Sequence, residues 1–300
     1  MPNDTTLGMF DSDFLAQLES IRLNLRQRLT SGISGGKISN QKGQSLEFSD
    51  FKEYQIGDDY RRVDWNAYAR FDKLILKLFM EEKQLNVSLL LDISESMNAG
   101  EVNKLLFAKK ICAVIAYLTL VGYDQVSIYL LGDGISQVLP ALSGKQSFIK
   151  ILDFLQNAKT AKQSNISHAV RQINFKAKGA CVLLSDGFVN DDLAQALSFL
   201  QYKKQNVFFV QILSAEELNP SLNGRFRLVD SENKEALDVT CNESVLSIYH
   251  KTLTNFLNNI HALCSKNGMQ YTLISSDTDF KKAIFEKLLP VFQNNSEVIR

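Results

Sequence analysis

The sequence predicts a doubly wound α/β fold on a mostly parallel sheet, and three observations lead there. From residue 86 onward, strand-like and helix-like segments alternate. Segments such as "ACVLLS" (180–185) and "NVFFVQIL" (206–213) are almost unbroken apolar runs, the mark of parallel strands covered on both faces. The chain has 300 residues, 45% of them hydrophobic, enough for one large core with a smaller attachment.

The opening stretch "MPNDTTLGMFDSDF" is acidic, and no Lys or Arg precedes Arg22. It lacks the basic region and apolar run of a signal peptide. Residues 11–29 read as a helix, with Phe14, Leu15, Leu18, Ile21, Leu25 and Leu29 on one stripe. "TSGISGGKISNQKGQS" (30–45) reads as a Gly/Ser loop. It is not a phosphate-binding loop: Ile38 follows Gly36-Lys37, and Ser31 stands where the first Gly belongs.

Strands are expected near 86–92, 125–132, 179–185, 206–213 and 269–274. Helices are expected near 101–121, 145–157, 167–174, 190–204, 243–267 and 278–289. Right-handed crossovers would join the strands into an open sheet. "ICAVIAYLTLVG" (111–122) is too short to span a bilayer and fits a buried helix. "RFRLVDSENKEALDV" (225–239) reads as an inserted β-hairpin around a polar turn. The expected division is an N-terminal helix/strand extension, 1–83, and a main domain, 84–300.

Net charge is +0, so no overall basic field attracts nucleic acid or an anionic membrane. Cys112, Cys181, Cys241 and Cys264 lie far apart and make no metal-ligand spacing. Together these features lead to the expectation of a soluble cytoplasmic protein without membrane insertion.

"NVSLLLDISESMNAG" (86–100) holds the chemistry. An apolar strand runs out into Asp92, Ser94 and Ser96 at alternate positions. In open α/β sheets, sites form beyond the carboxyl ends of strands. A second strand ends in the same way, with "CVLLSDGF" bringing Asp186 to its edge, and "KQSNISHAV" places Ser164 in a turn before a short helix. Hard oxygen donors without imidazole or thiolate suit Mg²⁺ or Mn²⁺ better than zinc. Asp and Ser are also ordinary turn and cap residues, and the same side chains could simply shape loops.

Asp92-x-Ser94-x-Ser96, Ser164 before a short helix, and Ser185-Asp186-Gly187 resemble the metal-ion-dependent adhesion site of von Willebrand factor A domains. "LEFSDFKEYQIGDDYRRVDWNAYARFDKLILKLFMEE" (46–82) resembles the signature of a bacterial family called domain of unknown function fifty-eight. Members of that family carry an A-type domain and often accompany MoxR-type AAA+ ATPases. The resemblance implies a von Willebrand A-like sheet with Mg²⁺ or Mn²⁺ at its carboxyl edge. Ser94 and Ser96 would ligate directly, Asp92 and Asp186 mostly through water, and Ser164 would replace the usual threonine. A partner's Asp or Glu would fill the open coordination position, the implied partner being a MoxR-type ATPase or its client. The implied function is non-enzymatic, metal-dependent protein interaction. The alternative is a Mg²⁺-dependent phosphohydrolase with Asp92 as nucleophile. Phosphatases of the haloacid dehalogenase type want a second carboxylate where Ser94 stands.

Segment 54–73 holds Asp58, Asp59, Arg61, Arg62, Asp64, Arg70, Asp72 and the only tryptophan, Trp65. An active site would use the carboxylates as acid and base; the near balance of mixed charges favours instead arginine–carboxylate pairs around a Trp65 packed on the core, or an interface. His168 would either lie near the site or, as the better-favoured reading, serve a surface or capping role.

Overall fold

The computed structural model describes residues 9–31, 47–56, 58–80, 84–98, 101–162, 164–175, 178–188, 193–222, 224–229 and 236–293. The Gly/Ser loop (from residue 32 on) and the turn of the expected hairpin lie outside them. By contacts the chain forms two units: Met1–Leu29 with Leu85–Arg300, and Thr30–Gln84.

The smaller unit pairs β1 (Glu47–Glu53) with β2 (Ile75–Met80) in antiparallel register. Between them lie a 3₁₀ turn, Tyr60–Arg62, and helix α2 (Trp65–Phe71). Asp59 caps the turn through the Arg61 N–H, and Asp64 caps α2 through the N–H groups of Asn66 and Ala67. Asp58 pairs with Lys52 at 3.0 Å and also accepts the Gln55 N–H. Asp59 and Asp64 thus shape turns, and Asp58 meets a lysine where an arginine was expected; the Arg62 side chain lies outside the described residues. The expected packing of Trp65 is corrected as well. Helix α2 buries none of its residues, and Trp65 is 60% exposed, edge-on to Tyr68 at 6.2 Å.

In the larger unit, α1 (Ser12–Ser31) follows the predicted stripe: Phe14, Leu18 and Ile21 are buried, together with Phe10. The side chains of Leu25 and Leu29 lie outside the described residues. The Phe14 ring meets Phe280 at 5.8 Å, and Glu19 accepts hydrogen bonds from Tyr117 and Lys145. Then come β3 (Asn86–Asp92), α3 (Lys104–Val121), β4 (Gln125–Leu131), β5 (Ile135–Leu142), α4 (Phe148–Asn157) and α5 (Ile166–Gln172). Next are β6 (Gly179–Ser185), α6 (Leu193–Tyr202), β7 (Gln205–Leu213) and a single turn, α7 (Ala215–Leu218). The hairpin β8 (Gly224–Val229) and β9 (Ala236–Cys241) precedes the long α8 (Glu243–Lys266) and β10 (Gln270–Ser275). The described chain closes with α9 (Phe280–Lys282), a π turn (Ala283–Leu288) and α10 (Leu289–Gln293).

Six of these strands form one sheet in the order β10-β7-β6-β3-β4-β5. Every pairing is parallel except β4 with β5. The doubly wound, mostly parallel architecture read from the sequence is therefore present, with one antiparallel edge strand added. Alternate side chains of the central strands enter two separate apolar clusters. Val87, Leu89 and Leu91 of β3 join the first, and Leu90 joins the second. In β6, Ala180, Val182 and Leu184 face one way, and Cys181 and Leu183 the other. Helices α1, α3 and α4 cover the first face; α5, α6 and α8 cover the second. Each fully buried Leu, Ile or Phe contributes about 1.5–3 kcal/mol of transfer free energy, so the sheet is held from both sides.

Where β3 and β6 begin, Gly179 lies so close to Asn86 that a Cβ would stand 2.2 Å from its carbonyl oxygen. Only glycine allows this approach. Among the described residues, no helix is long and apolar enough to cross a membrane.

Candidate metal centre

The sheet order places β3 beside β6, although the chain leaves β3 toward β4 on the opposite side. That reversal of direction is the switch point at which doubly wound sheets open a crevice beyond their carboxyl ends. The register sets Leu91 opposite Leu184, so Asp92 and Ser185 end the two strands side by side.

Asp92 is fully buried, and both of its oxygens are engaged. Oδ1 accepts the Ser94 N–H at 3.0 Å, and Oδ2 accepts the Ser185 hydroxyl at 2.6 Å. Burial, and next the neighbouring Asp186 charge, push the Asp92 carboxyl up to about 6; the bonds from Ser185 and Ser94 pull it down. After the strand, residues Glu95–Asn98 form a 3₁₀ turn anchored by the buried Met97. This turn brings Ser94 Oγ to 2.9 Å from Ser96 Oγ. Ser94 is buried and Ser96 half-buried.

Ser164 reaches the neighbourhood through a backbone clasp. The Ala161 N–H donates to the Ile93 carbonyl at 2.7 Å, forming a parallel bridge between Ser94 and Ala161. The Asn165 N–H donates to the Gly132 carbonyl at 2.8 Å, and its side chain caps α5 through the His168 N–H. Ser164, between these two ties, is 3% exposed, and among the described residues its hydroxyl has no hydrogen-bond partner. A buried hydroxyl left alone costs about 1–3 kcal/mol. His168 itself is exposed, with Nε2 2.6 Å from Gln172 Nε2.

Asp186 is as buried as Asp92. Oδ1 accepts the Phe188 N–H at 3.0 Å, and its backbone carbonyl accepts Gln211 Nε2 at 2.7 Å. Gln211 is in turn fixed by the Tyr271 hydroxyl at 2.7 Å. Gly187 makes the turn at φ +77, donating its N–H to Ser185 Oγ at 3.0 Å.

Sequence reasoning missed the partner of Asp186 Oδ2. Lys104, the first residue of α3, is completely buried and places its ammonium 2.9 Å from that oxygen and 2.6 Å from Glu217 Oε1. Glu217 is held by a capping box: its Oε2 accepts the Ser214 N–H, and its own N–H donates to Ser214 Oγ. Sequence alone offers no signal for this ion pair, because its members lie 82 and 113 residues apart. Glu217 and Tyr249 line both a cavity of about 580 Å³, walled also by Val239 and Leu246, and a second of about 420 Å³ reaching Phe188 and Phe256.

The donor set fits a small hard cation. Octahedral coordination at about 2.1 Å puts neighbouring ligand oxygens roughly 3 Å apart, and the Ser94–Ser96 pair has that spacing. The lone Ser164 hydroxyl has lone pairs to give. Among the described residues no group of three or more His, Cys, Asp or Glu side chains is placed to hold a metal ion. Any metal here would thus lean on hydroxyls and two carboxylates, one of which already faces an ammonium.

The family described as "Protein of unknown function DUF58" matches residues 50–255. An uncharacterized protein of Mycobacterium tuberculosis (strain ATCC 25618 / H37Rv) is 23% identical over 183 residues, 59% of this chain and 58% of the relative. The chain thus spans little more than half the length of that relative. Among solved structures, the conserved hypothetical protein BatB from Bacteroides thetaiotaomicron aligns over 70% of this chain and 99% of its own, with 15% identity and a TM-score of 0.42. The SpRpn10 VWA domain aligns over 67% and 94%, with 10% identity and a TM-score of 0.41.

Proposed function

The chain belongs to the DUF58 family of proteins of unknown function, and from that premise we propose that it is a metal-dependent protein-interaction module of the von Willebrand A type. Ser94, Ser96 and Ser164 would hold Mg²⁺ or Mn²⁺ with Asp92 and Asp186. The ion would supply an electrophilic point at which a partner's Asp or Glu docks. The chain's own residues provide the seat: Ser185 orients Asp92, and Gln211 fixes the Asp186 backbone. The partner of this reading is a MoxR-type AAA+ ATPase or its client, and the setting is the cytoplasm.

The observation that carries the proposal is the Ser164 hydroxyl, buried without a partner in the loop clasped to Ile93 and Ser94. Folding leaves such a group unsatisfied at a cost, and a bound ion would relieve it. The test is a Mn²⁺ titration by calorimetry of the wild type and of Ser94→Ala. Saturable binding lost in Ser94→Ala supports the reading; equal heats from both chains reject it. Capture of the partner ATPase should then disappear when a chelator is added.

A further inference from the structure

A fully buried ammonium is expensive. Desolvating the ions of a buried pair costs as much as their attraction returns, and well-packed apolar residues serve stability as well or better. Lys104 is such a group, at 0% exposure. Its surroundings are specific: Asp186 Oδ2 at 2.9 Å, Glu217 Oε1 at 2.6 Å, and the Phe188 ring with its centroid 5.8 Å away. Helix α3 buries mostly apolar side chains, and Asn103 caps it immediately before Lys104. Its other buried lysine, Lys109, donates to the Ala158 carbonyl at 2.7 Å and meets no carboxylate there among the described residues. The cation is thus carried on a rigid element to the one oxygen of Asp186 that Phe188 does not hold.

Resting on the metal reading above, we propose that Lys104 is the chain's own counter-cation at this centre, competing with a divalent ion for Asp186. The argument is electrostatic. Two cations drawn to one buried carboxylate repel each other at short range in a medium that screens poorly. A divalent ion engaging Asp186, even through water, must either share it with Lys104 or push the ammonium toward Glu217. Glu217 is built to receive it, since its other oxygen is tied to the Ser214 N–H and the carboxylate stays in place. Lys104 therefore lowers affinity for the ion alone. It keeps Asp186 neutralised and ordered when no ion is bound. It makes tight binding depend on the additional negative charge that a partner's carboxylate brings.

The test is Mn²⁺ calorimetry on four full-length chains: wild type, Ser94→Ala, Lys104→Met and Lys104→Gln. Lys104→Met removes charge and donors. Lys104→Gln removes the charge but keeps an N–H toward the carboxylates, so a folded variant remains if the first is unstable. Both Lys104 variants should bind at least tenfold more tightly than wild type, a difference of about 1.4 kcal/mol. Binding seen only in the Lys104 variants is the same result in a stronger form. If binding depends on Ser94 but the Kd of both Lys104 variants stays within twofold of wild type, or weakens, Lys104 is only a structural ion pair and the inference falls alone. If no chain binds, or Ser94→Ala binds like wild type with the Lys104 variants no tighter, the metal reading falls and takes the inference with it.

Discussion

Ser185 donates a 2.6 Å hydrogen bond to Oδ2 of Asp92, joining the ends of the parallel strands β3 and β6 at the point where the strand order reverses. The bond holds a carboxylate that water does not reach. Asp92 has an ordinary value of 3.8 and stands at about 6 in the folded chain. The folded state therefore binds this proton more tightly than the unfolded state. The stability it contributes is fully present below about pH 4 and is lost as pH rises through about 6. In chelator, the wild type should lose on the order of 2–3 kcal/mol relative to Asp92→Asn between pH 4 and pH 7. Urea melts of both chains across that range check it; parallel curves would show that burial does not raise the Asp92 carboxyl above its ordinary value.

The Ser164 hydroxyl separates stability from binding. Without metal, Ser164→Ala should be at least as stable as wild type, because it deletes an unsatisfied buried group. With Mn²⁺, Ser164→Thr should bind at least as well as wild type, whereas Ala and Val should bind about tenfold more weakly. Calorimetry ranks the four side chains, and Val equal to Thr would mean that residue 164 only shapes its loop.

Trp65 is mostly exposed, so Trp65→Ala should change unfolding stability by no more than about 0.5 kcal/mol. A loss of about 3–5 kcal/mol, the cost of emptying a buried aromatic site, would contradict its placement. If the α2 surface docks a partner, capture should weaken while the thermal melt stays put.

Gly187 should resist substitution for two reasons. Its φ of +77 disfavours any L side chain, and a Cβ there would lie 3.2 Å from Gln211 Nε2 and 3.3 Å from Ile260 Cδ1. Gly187→Ala should cost about 1–3 kcal/mol and disturb Asp186. A chemical melt gives the first effect and Mn²⁺ affinity the second.

A phosphohydrolase would need Asp92 free to attack. Both of its oxygens accept hydrogen bonds, and the residue two positions on is Ser94, where phosphatases of the haloacid dehalogenase type want a second carboxylate. Turnover of a generic aryl phosphate with Mg²⁺ should not exceed that of Asp92→Ala. Turnover well above that control would restore the catalytic reading.

The parallel strands were legible because burial on both faces writes continuous apolar runs, as in β6 and β7. The ends of those strands were legible too, since Asp and Ser break the runs abruptly at Asp92 and Ser185. Strand β5 was not. It is an edge strand, mostly exposed, and shows neither an apolar run nor clean alternation. The stripe of α1 could be read, but not its destination, because periodicity says which face is buried and not against what. The charged segment was harder to read for a related reason. Charge composition cannot tell an ion pair from a cap, and Asp59 and Asp64 each accept backbone N–H groups as caps. Nothing in the sequence marked Lys104. Only the fold turns it inward, toward carboxylates from two distant loops.

Strand β5 also carries Pro140, with a register shift against β4 between Val126 and Ile128. Proline brings no N–H, and the shift breaks the even spacing of the remaining donors and acceptors. An edge of this kind is a poor template for another strand. Chains crowded together during synthesis or concentration gain little by joining sheets along this border. Replacing Pro140 with valine would be expected to make the protein more prone to aggregation without making it less stable.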